Sequence, residues 1–448
     1  MPRAPGTDNP RILIAGGGVA ALEACLALRE RLSATDLDVF LLTPAERFDY
    51  RPLSVLEPFR GISRWSLALA TFAADQDVTI IHDALTAVGP HARVAVTGRG
   101  DEIPYDLLLV ATGGHAADAV HGALTFRGAG EGQAVRDLLG ARPRSIAFVA
   151  PPGATWPLPL YELALLSAAE LRRQGAATEV RLVTPEDAPL ALFGPGASEF
   201  VAGLLARHGI DLVTSAGAAA ALDGTLELDD GRRLDAEHVI ALPRILGRRF
   251  EGIPRDEQDF IPIDAHARVE GLAHVYAAGD VTNFPFKQGG LAAQQADAAA
   301  EAMLAELGLP IAPRPFDPVI RGVLFTDSEP AYLQAPLVAG AARPSDPRAY
   351  SMWWPPSKIA GRHLSPTWPS ARARREPRRS APGPSPWRST SATSFTPCAQ
   401  RIRLTRADPY ATRTGAEVLI APGSRAVLSR NSRRFPPGTT MVGRERPP

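Results

Sequence analysis

Residues 16–21 read Gly16-Gly17-Gly18-Val19-Ala20-Ala21, a G-x-G-x-x-G/A pattern set between a short apolar run (RILIA, 11–15) and an alanine- and leucine-rich stretch. Glycines at this spacing, between a strand and a helix, hold the pyrophosphate of a dinucleotide. Gly16 permits the tight turn, Gly18 lets the backbone approach the phosphates, and Ala21 allows close packing. The helix start supplies amide donors and the positive end of a dipole. The alternative is a glycine turn with no ligand. The acid expected about 20 residues further on is missing: after Leu42 come Thr43 and Pro44. Thr43 or Glu46 is left to meet a ribose, or both belong simply to the turn.

A second chemistry-bearing block is 275–303, VYAAGDVTNFPFKQGGLAAQQADAAAEAM. It runs from an apolar strand through Gly279 and Asp280 to Lys287, Gln288, Gly289, Gly290 and Leu291, which open an alanine-rich helix. A third is 107–114, LLLVATGG, a strand entering Ala111-Thr112-Gly113. In this order the blocks resemble the pyridine nucleotide-disulfide oxidoreductase superfamily, over most of residues 10–310. The Lys-Gln-Gly-Gly run resembles sulfide:quinone oxidoreductases and type II NADH dehydrogenases. The resemblance implies FAD as cofactor. It assigns the flavin ribityl hydroxyl to Asp280 and the flavin's pyrimidine edge to the helix start at Gly289, Gly290 and Leu291. It assigns the adenosine side to Ala111, Thr112 and Gly113, and a place near the flavin to Tyr50, Arg51 and Pro52. Charge agrees with this: a helix N-terminus and a cation at Lys287 would stabilise negative charge gained near flavin N1, raising the reduction potential. Lys287 is one of two lysines in the chain; its plain alternative is a surface charge.

What is missing narrows the reaction. Sulfide oxidation and disulfide reduction in the resembled family need thiols beside the flavin, because a thiolate must attack. The two cysteines are Cys25, inside the helix after the glycine turn, and Cys398 near the C-terminus. Where the sulfide enzymes carry a cysteine in the second domain, the chain reads Pro151-Pro152-Gly153-Ala154-Thr155-Trp156-Pro157. A thiol mechanism is therefore not expected. The same loop stands where a nicotinamide enzyme repeats the glycine motif, and prolines remove the amide donors that hold pyrophosphate. This speaks against NAD(P)H. Trp156 and the prolines either shape an apolar pocket at the flavin face, suited to a quinone or another planar acceptor, or plug a disused site. His115 and His121 follow the Ala-Thr-Gly turn, as proton shuttles or as solvated loop side chains. No metal-ligand spacing occurs, and no metal is expected.

The elements that must position these residues follow a βαβ rhythm. Apolar runs at 11–15, 38–42, 78–81 and 107–111 read as parallel strands buried on both faces, with a helix over 19–32 and a hairpin turning at 98–101. A second unit starts at 145–150. It continues with a helix over 160–174, a strand at 179–183, a helix over 197–208, a hairpin turning at 229–231 and a strand at 239–242. From 275 the chain returns to the first unit, and a helix follows over 290–307. The predicted fold is α/β, with two Rossmann-like dinucleotide-binding domains built on parallel central sheets, the FAD domain being discontinuous. Its expected parts are the first piece of the FAD domain (1–140), the second Rossmann-like domain (141–260), the second piece of the FAD domain (261–310), a C-terminal segment (311–366) and a tail (367–448).

The formal charge is zero but unevenly spread. Residues 367–448 hold 16 arginines, no lysine and four acids, a net of +12, which leaves −12 on residues 1–366. Scattered and balanced charge gives no reason to expect a nucleic-acid partner. No apolar run reaches the roughly 18 residues of a spanning helix, and two cysteines suit a reducing compartment. The expected location is the cytoplasm, with peripheral membrane contact at its inner face. Residues 350–366, YSMWWPPSKIAGRHLSP, resemble the start of the flavin-covering, membrane-touching segment that ends quinone-using relatives. The tail after them loses apolar periodicity and reads as disordered, or as another reading frame of a GC-rich gene. The resulting expectation is an FAD-dependent oxidoreductase passing electrons from a small-molecule donor to a small acceptor, with quinone as the candidate. Its rivals are an NAD(P)H dehydrogenase with a degenerate second motif and a non-catalytic FAD-binding protein. The pattern sets no oligomeric state.

Overall fold

Continuous apolar pentapeptides such as RILIA and SIAFV have no polar face to show to water, so they must lie in a sheet covered on both sides. A computed structural model describes residues 9–60, 65–128, 130–338, 341–342, 347–348, 351–353 and 357–367. Cys398 and the expectations of disorder or a changed reading frame beyond 367 lie outside the described residues.

The elements that matter here are β1 (Arg11–Ala15), α1 (Val19–Arg31), β2 (Asp38–Leu42), β3 (Thr79–Ile81), β4 (Leu107–Val110), β5 (Leu124–Thr125), β6 (Ser145–Val149), α2 (Leu158–Arg173), β7 (Glu179–Val183), α3 (Pro195–Arg207), β8 (Ile210–Val213), β9 (His238–Ala241), β10 (Val275–Ala277), α4 (Gly289–Glu306), β11 (Val319–Leu324) and β12 (Ala331–Val338). Two five-stranded sheets result, in the orders β10-β4-β1-β2-β3 and β5-β9-β6-β7-β8. Every neighbouring pair in both is parallel. Ile14 stands opposite Leu41 and Leu109, and Phe148 opposite Leu182 and Ile240. Each half also carries a three-stranded antiparallel meander, at 85–104 and at 218–235. The α/β class with two Rossmann-like sheets is thus the observed architecture.

Alanine decides how closely α1 and α4 meet. Ala20, Ala24 and Ala27 of α1 share one buried cluster with Ala292, Ala296, Ala299 and Ala300 of α4. Side chains this short let the two backbones approach, which places the starts of both helices beside the edge of the first sheet formed by β1, β4 and β10.

Sheet pairing crosses the ranges read from the sequence. β5 joins the second sheet although it precedes residue 141, and Phe250 and Ile253 pack in the first unit's core with Leu13 and Leu108, ahead of residue 261. The two crossing segments, His115–Ala117 and Arg244–Leu246, pair antiparallel with each other. A two-residue strand and paired linkers leave no periodicity to read. Beyond α4, β11 and β12 form a hairpin whose Ile320, Leu324, Leu333 and Ala335 join the core around α2. Residues 357–367 then return to the first unit, where Ile359 and Leu364 are buried beside α1. No helix among the described residues is long and apolar enough to cross a membrane.

Candidate functional site

The loop 16–18 is built around one backbone demand. Gly16 has φ +135° and a Cβ placed on it would lie 2.2 Å from the Ala111 carbonyl oxygen, so only glycine lets β1 turn into α1 against the end of β4. Gly18 caps α1 in extended conformation with no side-chain hydrogen bond, and nothing lies within 4 Å of where its Cβ would be. The helix start is therefore approachable, as an anion site requires. Next to it, the buried Thr112 hydroxyl has no hydrogen-bond partner among the described residues, and Gly113 has φ +70° with open space around it. Ala21 is fully buried in the α1 and α4 contact. Thr43 is also buried, and its hydroxyl accepts from the Ala45 amide at 3.2 Å, so it serves the turn. Glu46 is exposed.

A cleft opens between the halves, lined among others by Arg51, Pro52, Phe126, Trp156, Asp280 and Lys287. It encloses about 1070 Å³, open solvent at its mouth included. Gly279 donates its amide to Gln295 Oε1 at 2.7 Å, fixing the turn that presents Asp280. The Asp280 carboxylate has no hydrogen-bond partner among the described residues; burial pushes it above the usual carboxylate range, resisted by Lys287 and Arg51. Lys287 is 6% exposed, which removes the surface-charge alternative. Its ammonium donates to the Thr282 carbonyl and lies 3.6 Å from the centroid of the Phe260 ring, a cation–π contact. Burial lowers it to about 8, against the pull of Asp280 and Asp256.

The start of α4 differs in one respect from its sequence reading. Gln288 is the N-cap, and its Oε1 accepts the Leu291 amide at 2.9 Å while its Nε2 donates to the Arg321 carbonyl at 2.8 Å. The Leu291 amide is thus occupied within the protein. Gly289 and Gly290 remain at the helix start, with Ile359 against the position a Gly289 Cβ would take, at 2.9 Å.

The second loop is closed by its own side chains. Four prolines, Pro151, Pro152, Pro157 and Pro159, stand in and just after the eight residues between β6 and α2, and none has an amide to offer. Pro152 lies 2.6 Å from where a Gly217 Cβ would be. At the end of β7, where a nicotinamide enzyme presents an acid to ribose, Glu186 accepts from the Tyr161 hydroxyl at 2.6 Å and the Thr184 hydroxyl at 3.1 Å. Ala154, Thr155 and Trp156 face the cleft. Both histidines singled out from the sequence, His115 and His121, are exposed and do not line the cleft. Cys25 is fully buried and burial pushes its thiol up to about 12, so it is no nucleophile.

Sequence reasoning missed two cleft residues, Lys358 and Arg321, and the buried glutamate that one of them meets. Glu162 of α2, 0% exposed, accepts from Lys358 Nζ at 2.5 Å and from the Phe325 amide at 2.9 Å. Burial drives Glu162 up and Lys358 down, each resisted by the other. Lys358 also donates to the Pro52 carbonyl at 3.3 Å, and the rarity that drew attention to Lys287 marks it equally. The other is Arg321 of β11. Away from the cleft, Glu23, Asp297 and His363 bring ligand atoms within 4.8 Å of one another, a grouping from three elements that no spacing announces. Both Glu23 oxygens are engaged, accepting from the His363 and Leu364 amides at 2.7 and 2.8 Å. Burial raises Glu23 to about 7 and Asp297 to about 8.

Residues 162–302 match the family model described as pyridine nucleotide-disulphide oxidoreductase, from inside α2 to inside α4. The chain is 26% identical over 218 residues to a sulfide-quinone reductase of Aquifex aeolicus, covering 46% of this chain and half of that protein. It is 26% identical over 294 residues to an NADH dehydrogenase-like protein of Mycobacterium tuberculosis, covering 60% and 72%. In fold it is similar to the crystal structure of the Aquifex aeolicus sulfide:quinone oxidoreductase, with a TM-score of 0.65 and 20% identity over 73% of this chain and 83% of that one. It is similar also to an NAD-dependent persulfide reductase from A. fulgidus, with a TM-score of 0.55 and 17% identity over 72% and 64%. With its two parallel sheets, its glycine turn and the Gly279-Asp280 to α4 passage, the chain is similar to the pyridine nucleotide-disulphide oxidoreductases, whose family model it matches over residues 162–302.

Proposed function

We propose that this chain binds one dinucleotide, FAD, and passes electrons from a small donor other than NAD(P)H to a small planar acceptor, with quinone as the candidate. The observation that carries the reading is a set of polar features on the first half: the approachable α1 start at Gly18, and the Thr112 hydroxyl and Asp280 carboxylate, neither of which has a hydrogen-bond partner among the described residues. They match the needs of a pyrophosphate, an adenosine moiety and a ribityl hydroxyl in chain order. FAD, when bound, supplies the two-electron relay.

The chain's own residues do the rest. Gly16 sets the turn and Gly18 with the α1 amides receives the pyrophosphate. Asp280 accepts from the ribityl chain. The Gly289 and Gly290 amides and the buried Lys287 ammonium place positive potential at the cleft wall, favouring negative charge there. Arg51 and Pro52 border the same space. Trp156, Phe126, Leu242 and Ile359 give the cleft apolar walls, which exclude water and suit a flat ring.

The test is anaerobic visible absorbance of the purified full-length protein, before and after NADH and NADPH, and after dithionite reduction followed by a water-soluble quinone. A yellow protein that NADH and NADPH do not bleach, and whose reduced flavin the quinone reoxidises, is expected. A colourless protein that refuses added FAD would sink the reading. Rapid bleaching by NADH would replace it with the dehydrogenase suggested by the mycobacterial relative. A yellow protein whose reduced flavin the quinone does not reoxidise would remove quinone as acceptor.

A further inference from the structure

Five cations line the cleft, Arg51, Arg127, Arg321, Lys287 and Lys358, against one carboxylate, Asp280. Four of them have protein counter-charges. Arg127 pairs with Asp118 and Glu131, Lys358 with Glu162, and Asp280 interacts with both Lys287 and Arg51. Arg321 has no hydrogen-bond or ion-pair acceptor for its side chain among the described residues, although it is half-buried and its Nε is sealed from solvent. It does not hang from a loop: β11 holds it in register opposite Gln334, and its carbonyl is tied to the Gln288 side chain.

A guanidinium taken out of water without an acceptor forfeits several hydrogen bonds, and proteins retain such a group where a ligand completes it. Its planar fork matches a carboxylate in two parallel hydrogen bonds. Around it the walls are apolar and flat-sided: Trp156, Phe126, Leu158, Pro243 and Val323. We propose that Arg321 binds the carboxylate of a small aromatic substrate, which lies in the cleft with its ring against these walls. The inference rests on the flavoprotein reading only for what the bound molecule exchanges electrons with; the anion site itself is a property of this chain.

The experiment is calorimetric titration of the full chain with sodium benzoate and with the neutral isostere benzamide, in chloride buffer. Wild type, Arg321→Gln and Arg321→Lys are compared, with flavin content and thermal melting recorded on each preparation. Benzoate should bind wild type at least about tenfold more tightly than benzamide. Arg321→Gln should lose about tenfold or more of that affinity at unchanged flavin content, and Arg321→Lys should recover part of it. If benzamide binds as well as benzoate, or Arg321→Gln binds benzoate unchanged, the inference is wrong. Loss of flavin in step with benzoate affinity would assign Arg321 to the cofactor and also overturn it. Should Arg321→Gln fail to fold, Arg321→Lys against benzamide decides. Arg321-dependent benzoate binding by a colourless protein would remove the flavin reading and leave this one standing.

Discussion

The helices α1 and α2 hold the same place in the two halves, each following the central strand of its sheet, and each carries a glutamate at its fifth residue. Glu23 and Glu162 are both 0% exposed, and both receive the same stretch of chain, 357–367. The first half answers its carboxylate with two backbone amides, of His363 and Leu364. The second answers with the Lys358 ammonium and the Phe325 amide. Ahead of these glutamates the halves diverge. Residues 16–18 leave the start of α1 open, whereas residues 150–157 close the start of α2 with prolines, and Tyr161 occupies Glu186. A common plan is kept where each glutamate holds the stretch 357–367, and the two halves part at the loops ahead of α1 and α2.

The largest effect should come from breaking the second half's ion pair. Lys358→Met leaves Glu162 buried without its cation, which should destabilise the protein by about 3–5 kcal/mol, as seen for broken buried pairs. Adding Glu162→Gln should restore much of that. A double-mutant cycle by urea unfolding measures the coupling, and coupling near zero would mean the pair does not hold the segment.

A matched pair of substitutions sharpens the contrast between the two loops. Gly16→Ala forces a Cβ against the Ala111 carbonyl at a positive φ and should cost about 2–4 kcal/mol together with most of the bound flavin. Gly153→Ala meets a positive φ of +76° but no neighbour within 4 Å, so it should cost about 1 kcal/mol and leave flavin content unchanged. Equal flavin loss in both would contradict the division of roles.

The first half's glutamate should also tie stability to pH. Burial raises Glu23 to about 7 and its neighbour Asp297 to about 8. The folded state therefore holds protons that the unfolded chain has already released. Their contribution to stability is fully present below the unfolded carboxylate pKa and is lost as pH rises through about 7 to 8. Glu23→Gln has no such proton to lose. Between about pH 5 and 8 the wild type should lose on the order of 1–3 kcal/mol more than the variant, read from melting temperatures across the range. Parallel curves would show that Glu23 does not titrate on this path.

Much of the first half was legible in the sequence because its signals are local. An apolar pentapeptide, a glycine turn and an alanine-rich helix each declare themselves within about 15 residues. Helix bounds fell within two residues of those expected, and Lys287 stands in the cleft wall. The rest depended on contacts between remote residues. Glu162 meets Lys358 across 196 positions, and Arg321 draws attention because its side chain has no acceptor among the described residues, which only a fold can reveal. The Leu291 amide was misplaced for a related reason: glutamine is not a usual N-cap, so nothing in the Lys-Gln-Gly-Gly run signals that Gln288 turns back on it.

Lys287 carries the smallest predicted effect and the finest test of what the first half does. Its ammonium is fixed between the Thr282 carbonyl and the Phe260 ring, beside Asp280, so it acts on the cleft through its field and without moving. Near neutral pH it is charged, and removing it in Lys287→Met should lower the potential of bound flavin by about 30 mV, which for a two-electron couple equals about 1.4 kcal/mol. With its pKa lowered to about 8, the ammonium loses its proton as pH rises past that value, so the gap between wild type and variant should close by about pH 9. A spectroscopic potential titration at both pH values reads this directly. A gap that persists undiminished would place the effect in altered packing against Phe260, since packing does not titrate.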